Sequence, residues 1–184
     1  MNKIEISLAE TFSEWVYNLN INDIPEEVVN KLQLIVMDSF GLMISAKNEQ
    51  YIKSLINALQ EDGDCTLVGH NKKVNPFNAS IINGTAIHGE DFDDTFEGTP
   101  VHVGSVMVPA MLSSTQAKNL GGEKFLKGLV VGSELICRLA LVAPTAVHRQ
   151  GFHPTAIFGA FGSSIGVSSL LGNSINEMSS GLGI

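Results

Sequence analysis

From Ser7 onward the chain is written as a succession of helix starts, apolar runs at helical spacing and short breaks, and hardly anywhere as the alternation a half-buried strand requires. Ser7 is a capping residue, and Leu8, Phe12, Trp15, Val16 and Leu19 follow it at the spacing of one helix face. Asp23-Ile24-Pro25-Glu26-Glu27 is a second start, with proline early and acids in the first turn. Val28, Leu32, Ile35, Val36, Phe40 and Leu42 continue it. Asn75-Pro76 opens another helix through Ala79, Ile82, Ala86 and Ile87, and Gly121-Gly122 separates two more. The pattern predicts helices over 7–19, 25–46, 50–59, 76–90, 105–120, 123–142 and 155–171. Glu134 and Arg138 are placed to pair one turn apart within the sixth of these. Asp62-Gly63 turns the chain into a short extended piece at Cys65–Gly69, and His148–Pro154 reads as a loop. The fold class is therefore all-α, one domain over 1–184, with no internal repeat, low-complexity tract or linker.

Which helices sit inside follows from composition. With 44% hydrophobic and 16% charged residues the chain has enough apolar surface for a packed core. Met107, Met111, Phe158 and Phe161 are expected in it. The stretch 155–171 is rich in Gly, Ala and Ser, which lets neighbouring backbones approach closely. A net charge of −8, from 11 Lys+Arg against 19 Asp+Glu, argues against nucleic acid as a partner. The longest uncharged run, between Arg149 and Glu177, is interrupted by His153, Pro154 and Asn173, so no membrane span is expected there. Met1–Glu10 shows no secretory pattern, and Cys65 and Cys137 lie far apart. Both are expected as reduced thiols in the cytoplasm. Ser174-Ile175-Asn176-Glu177 has the capping-box spacing, so a further helix is expected to begin there. The sequence stops seven residues after Glu177, and a truncated domain is the expectation.

Two polar clusters could carry chemistry. In His88-Gly89-Glu90-Asp91-Phe92-Asp93-Asp94-Thr95, four carboxylates fall within five residues, and His102 follows. Mutual repulsion in a sheltered place would raise the affinity of one of them for a proton, which suits abstraction next to a carboxylate. A solvated acidic loop at a helix end and a metal site are the competing readings, although the spacing matches no specific metal motif. The second cluster is His148-Arg149-Gln150-Gly151-Phe152-His153-Pro154. Cationic groups just before a helix N-terminus would make a carboxylate-binding corner; a helix-capping loop is the plainer alternative.

The stretch Asn83-Gly84-Thr85-Ala86-Ile87-His88-Gly89-Glu90-Asp91-Phe92-Asp93-Asp94-Thr95 resembles the signature of the MmgE/PrpD family. So do His102-Val103-Gly104-Ser105 with Pro109-Ala110, Gly151-Phe152-His153-Pro154-Thr155, and Asp38-Ser39-Phe40-Gly41. The likeness runs over nearly the whole chain. It implies the amino-terminal part of that family's helical domain, without the α+β lid domain. By the resemblance Asp91 matches the family's active-site aspartate and Thr95 its threonine. His102 matches the histidine of the following loop, and His153 the histidine before proline. These four are the expected catalytic residues around one cleft, with His88 and Arg149 as substrate contacts and no metal.

Two departures bear on His102. Val103 follows it where many members carry proline, and its loop is one residue longer than in the decarboxylase. The family's later active-site lysines and tyrosine have no counterpart here. The implied activity is that of a lyase on a small polycarboxylate, a 2-methylcitrate dehydratase-like hydro-lyase being favoured. Decarboxylation of cis-aconitate type, iminodisuccinate epimerisation, and a non-catalytic helical half of a split enzyme are the alternatives. No organic cofactor is expected, because the sequence has no Gly-rich phosphate loop or cofactor lysine. The chain is expected to be inactive alone and to pair as a homodimer or with a complementing C-terminal chain.

Overall fold

The computed structural model describes residues 6–59 and 61–183, and its helices follow the sequence pattern closely. In order they are α1 (Leu8–Asn18), α2 (Glu26–Ala46), α3 (Gln50–Ala58), α4 (Pro76–His88), α5 (Val103–Ala117), α6 (Gly122–Val142), α7 (Ala146–Arg149), α8 (Pro154–Leu171) and α9 (Ile175–Gly183). A 3-10 turn covers Ile21–Asp23. Ser7 and Glu10 form a reciprocal capping box: the Glu10 amide donates to Ser7 Oγ at 3.1 Å, and the Ser7 amide donates to Glu10 Oε2 at 2.8 Å. Ser174 and Glu177 repeat the device at the start of α9, with 2.8 Å from the Ser174 amide to Glu177 Oε2. The Glu134–Arg138 pair also forms, Arg138 Nε donating to Glu134 Oε1 at 2.7 Å.

Three expectations need correcting. The extended piece is shifted towards the N-terminus: β1 (Asp62–Thr66) pairs antiparallel with β2 (Lys73–Val74), with an irregularity between Asp62 and Cys65. Asn83 of α4 explains where it sits. Its side chain accepts from the Val68 amide at 3.1 Å and donates to the Thr66 carbonyl at 3.0 Å, tying β1 to the helix. The 148–154 loop is preceded and partly replaced by α7, a single turn whose backbone bonds close locally. Phe161 is exposed, whereas Met107, Met111 and Phe158 are in the core; the buried stripe of α8 runs through Thr155, Phe158, Gly159, Gly162, Ile165 and Gly166, and Phe161 lies beside it.

The core lies between α4, α5, α6 and α8, around Ile82, Ile87, Met107, Met111, Leu129 and Ile136. Val16, Val131, Ile165 and Met178 make a second cluster that fastens α1 and α9 to the outer side of α6 and α8. The α6–α8 contact depends on glycine. A Cβ on Gly132 would lie 2.6 Å from the Gly162 carbonyl oxygen, and one on Gly166 would lie 2.9 Å from that of Gly128. Removing the side chains lets the two backbones touch, and this fixes where the N-terminus of α8 points. Gly84 does the same between α4 and α5, where a Cβ would meet the Ser105 carbonyl at 3.1 Å. Pro109 lacks the amide that would bond that carbonyl within α5.

By length and apolar composition, α2 and α8 could each cross a membrane. Half of the α8 window is buried inside the protein, as expected for a core helix, against 17% of the α2 window.

Candidate functional site

The site is built where three helix ends meet. α4 ends at His88 because Gly89 follows and the chain turns away: a Cβ on Gly89 would lie 2.6 Å from the Tyr51 ring. The Tyr51 hydroxyl donates to Glu90 Oε1 at 2.8 Å and holds the turn. Burial and that carboxylate push the Tyr51 hydroxyl up to about 12. Asp91 completes the reversal with φ at 53°, in the left-handed region that Asp tolerates better than most residues. The segment that leaves it carries Asp93, Asp94 and Thr95 back beneath the ends of α4 and α5.

His102 is the N-cap residue of α5 and His153 that of α8, and neither side chain caps its own helix. Asp94 does this for α5 instead, its Oδ1 accepting the Gly104 amide at 2.9 Å. Burial raises the pKa of the Asp94 carboxyl above its ordinary value, against the opposing pull of that hydrogen bond. The His102 amide donates to Thr155 Oγ1 of α8 at 3.1 Å. Thus the two histidine-bearing helix starts are bonded to each other, although they lie some fifty residues apart in sequence.

Around the buried Asp93 carboxylate the imidazoles assemble. His88 Nδ1 lies 3.1 Å from both Asp93 oxygens, and His102 Nδ1 lies 3.3 Å from Asp93 Oδ1. The Asp93 side chain is 0% exposed, so water cannot satisfy it and the histidines must. His88 Nε2 and His153 Nε2 are 3.1 Å apart, and their rings are stacked with centroids at 5.2 Å. The His88 and His102 centroids are 4.8 Å apart and those of His102 and His153 6.3 Å. Burial, followed by the neighbouring His88 and His102, lowers the pKa of His153. At neutral pH His153 is therefore an uncharged acid–base group. Thr95 Oγ1 is 3.5 Å from His102 Nδ1, and the 83% exposed Asp91 side chain comes within 3.8 Å of His102 Nε2.

The structure thus brings Asp91, Thr95, His102, His153 and His88 into one cluster. Arg149 is not in it: at the end of α7 it is exposed, with no hydrogen bond or ion pair to its side chain among the described residues. Asp93, at the centre of the cluster, is the residue that sequence reasoning left unassigned. A cleft of about 290 Å³ opens beside the cluster, bordered by His88, His153, Thr85, Ser105 and Thr155. A larger cavity of about 710 Å³ lies on the far side of the acidic segment, walled mostly by apolar side chains such as Val28, Leu32 and Ile35. Asp94 and Thr95 line it but the histidines do not, whereas His88 and His153 open on the smaller cleft.

His88, Asp91, Asp93 and His102 could each offer one atom to a metal ion, all within 4.8 Å of one another. Bond lengths of about 2.0–2.2 Å would bring the ligand atoms of a tetrahedral ion within roughly 3.5 Å of each other. The four-residue set is wider than that. The shortest distances within it are the carboxylate–imidazole contacts of Asp93, which need no ion to explain them.

A family model described as the MmgE/PrpD N-terminal domain matches residues 10–184. A cis-aconitate decarboxylase-like protein of Aspergillus oryzae is 28% identical over 98% of the chain and 40% of its own length. The cis-aconitate decarboxylases of Aspergillus terreus and Mus musculus are each 25% identical, over 92% and 97% of the chain and 36% and 38% of their own lengths. The chain thus spans about two fifths of the curated relatives it matches.

Proposed function

The chain belongs to the MmgE/PrpD family, and from that premise we propose that it supplies the histidine–carboxylate half of the active site of a lyase acting on small polycarboxylates. The observation that carries this reading is the group of three imidazoles around the buried Asp93, beside an open cleft. Imidazoles beside that cleft, which His88 and His153 line, are the groups to take a proton from, or return one to, carbon next to a carboxylate. His102 and His153 are the proton-transfer residues in this proposal, with Thr95 and Asp91 placing His102.

The names of the relatives favour decarboxylation of a cis-aconitate-like acid over the 2-methylcitrate dehydration that the shared motifs suggested first. In such a step the carbon–carbon bond to one carboxylate breaks and CO2 leaves. The electron pair stays on carbon, and a histidine delivers the proton that quenches it. The remaining carboxylates need cationic partners, and the cluster itself holds no lysine or arginine. The proposal therefore assigns those contacts to sequence beyond this chain, or to Arg149 after rearrangement. It includes a cytoplasmic setting and a working unit of two copies or of this chain with a complementing one.

The test is to assay CO2 release from cis-aconitate by the purified chain, alone and co-expressed with whatever the reading frame downstream of Ile184 encodes. Turnover is expected only from the co-expressed pair, with loss of about two to four orders of magnitude on His102→Ala or His153→Ala. Turnover of 2-methylcitrate instead would restore the dehydratase reading. Turnover indifferent to both substitutions would overturn the site.

A further inference from the structure

We infer that Asp93 and His88 are positioning residues that fix the protonation pattern of the whole cluster: one buried carboxylate sets which nitrogen of all three histidines carries the proton. This rests on the proposal that His102 and His153 transfer protons, and it gives His88, expected from sequence to touch substrate, a different task.

The Asp93 side chain is fully buried and lies 3.1 Å from His88 Nδ1 through each oxygen. A bare nitrogen lone pair facing a buried carboxylate at that distance is repelled, so His88 presents an Nδ1–H. The same reasoning applies to His102, whose Nδ1 lies 3.3 Å from Asp93 Oδ1 and 3.5 Å from Thr95 Oγ1. In the neutral ring the proton on Nδ1 leaves Nε2 as an acceptor. His88 Nε2 then accepts, and its neighbour at 3.1 Å is His153 Nε2, which must be the donor. His153 therefore carries its proton on Nε2 and exposes an unprotonated Nδ1. Its lowered proton affinity agrees with a neutral donor there.

Two basic nitrogens result: Nδ1 of His153, and Nε2 of His102, whose neighbour Asp91 at 3.8 Å is solvated and so holds the ring proton less strongly than the buried Asp93 at 3.3 Å. The other tautomer would cost His153 its contact with His88, and His102 its contact with Asp93. Free imidazole in water prefers the proton on Nε2, so Nδ1–H on His88 and on His102 is the arrangement that the fold has to impose. An acidic side chain placed for solvation alone would impose nothing of the kind.

The experiment is a long-range proton–nitrogen correlation spectrum of the full chain labelled with 15N-histidine, at a pH where the histidines are neutral. His70 and His148 are assigned by His70→Asn and His148→Asn, and the cluster by single substitutions. The expected result is Nδ1–H for His88 and His102 and Nε2–H for His153. Asp93→Asn removes the negative charge that holds both rings as Nδ1–H, so the Nε2–H share of His88 or His102 is expected to rise, and an unchanged pattern in the folded variant would overturn the inference. Should Asp93→Asn fail to fold, the wild-type spectrum decides by itself. Nε2–H as the main form of either His88 or His102 would overturn the inference. The outcome is separate from that of the turnover assay. A wrong pattern leaves the lyase proposal standing without this control, and the expected pattern in an inactive co-expressed pair sinks the lyase proposal alone.

Discussion

Asp93 shows why a single residue can organise a site and still escape a reading of the sequence. It lies five positions after His88, a spacing that puts two residues on different faces of a continuous helix. They meet because α4 stops at His88 and Asp91 reverses the chain through a left-handed backbone. Asp91, Thr95, His102 and His153 were legible because they stand in a pattern known from a family. Asp93 needed the turn, which four neighbouring acids disguise as a solvated loop.

The titrating groups at this scale pull stability in opposite directions. The pKa of His153 in the fold lies below the ordinary value of 6.5. As pH falls below that value the unfolded chain takes up a proton that the folded chain refuses. Stability is therefore lost as pH drops from about 6.5 through the lower folded value, and no further below it. The Asp94 carboxyl is raised above 3.8 instead, so the folded chain holds a proton that the unfolded chain has released. Its contribution falls as pH rises through the window above 3.8. Urea midpoints measured between about pH 7 and pH 4 should show His153→Gln with a shallower acid decline than wild type. Asp94→Asn should lack the opposite slope, and a profile unchanged in both variants would contradict these assignments.

At the scale of elements, the helices were readable because local signals and burial agree. Ser7, Asn75 and Ser174 cap the helices that follow them, each with an amide bonded to the capping side chain. Ser174→Ala should cost about 1 kcal/mol in chemical denaturation. The loss should show first in the near-ultraviolet signal of Trp15, because α1 and α9 share the Val16–Met178 cluster. What the pattern could not convey is which glycines are contacts. Gly162 and Gly166 looked like small residues suited to close packing, and the structure shows their backbone against that of Gly132 and Gly128. Gly132→Ala should destabilise by about 1–3 kcal/mol, since its new methyl would press on the Gly162 carbonyl and on Met107. Because α8 carries His153, the same variant should lose more turnover in the co-expressed pair than its stability loss explains. The α7 turn was missed for the converse reason, as four residues offer too few positions for any period to show.

At the scale of the molecule, α2 exposes Leu34, Met37 and Ile44, spaced three and seven residues apart along one face. A stripe of this kind drives association when nothing covers it. The purified chain is therefore expected to elute as more than a monomer, with light scattering giving a mass above 19.7 kDa. Leu34→Glu with Met37→Glu should shift it towards one copy, and a clean wild-type monomer would refute the expectation. Neither the stripe nor its cover was visible in the periodicity, which marks apolar positions without saying which of them other helices of the same chain reach.

The bond from the His102 amide to Thr155 Oγ1 has a consequence for observing the protein at work. That N–H belongs to no helix ladder, so its exchange with deuterium reports the docking of α8 against α5 and little else. Opening of the joint by a fraction of the population would speed exchange at this one amide while the interiors of both helices stayed protected. Thr155→Val, which removes the acceptor and keeps the shape, supplies the fully open reference. The chain thus carries at residue 102 a single-atom clock for how long its histidine-bearing helix starts remain joined.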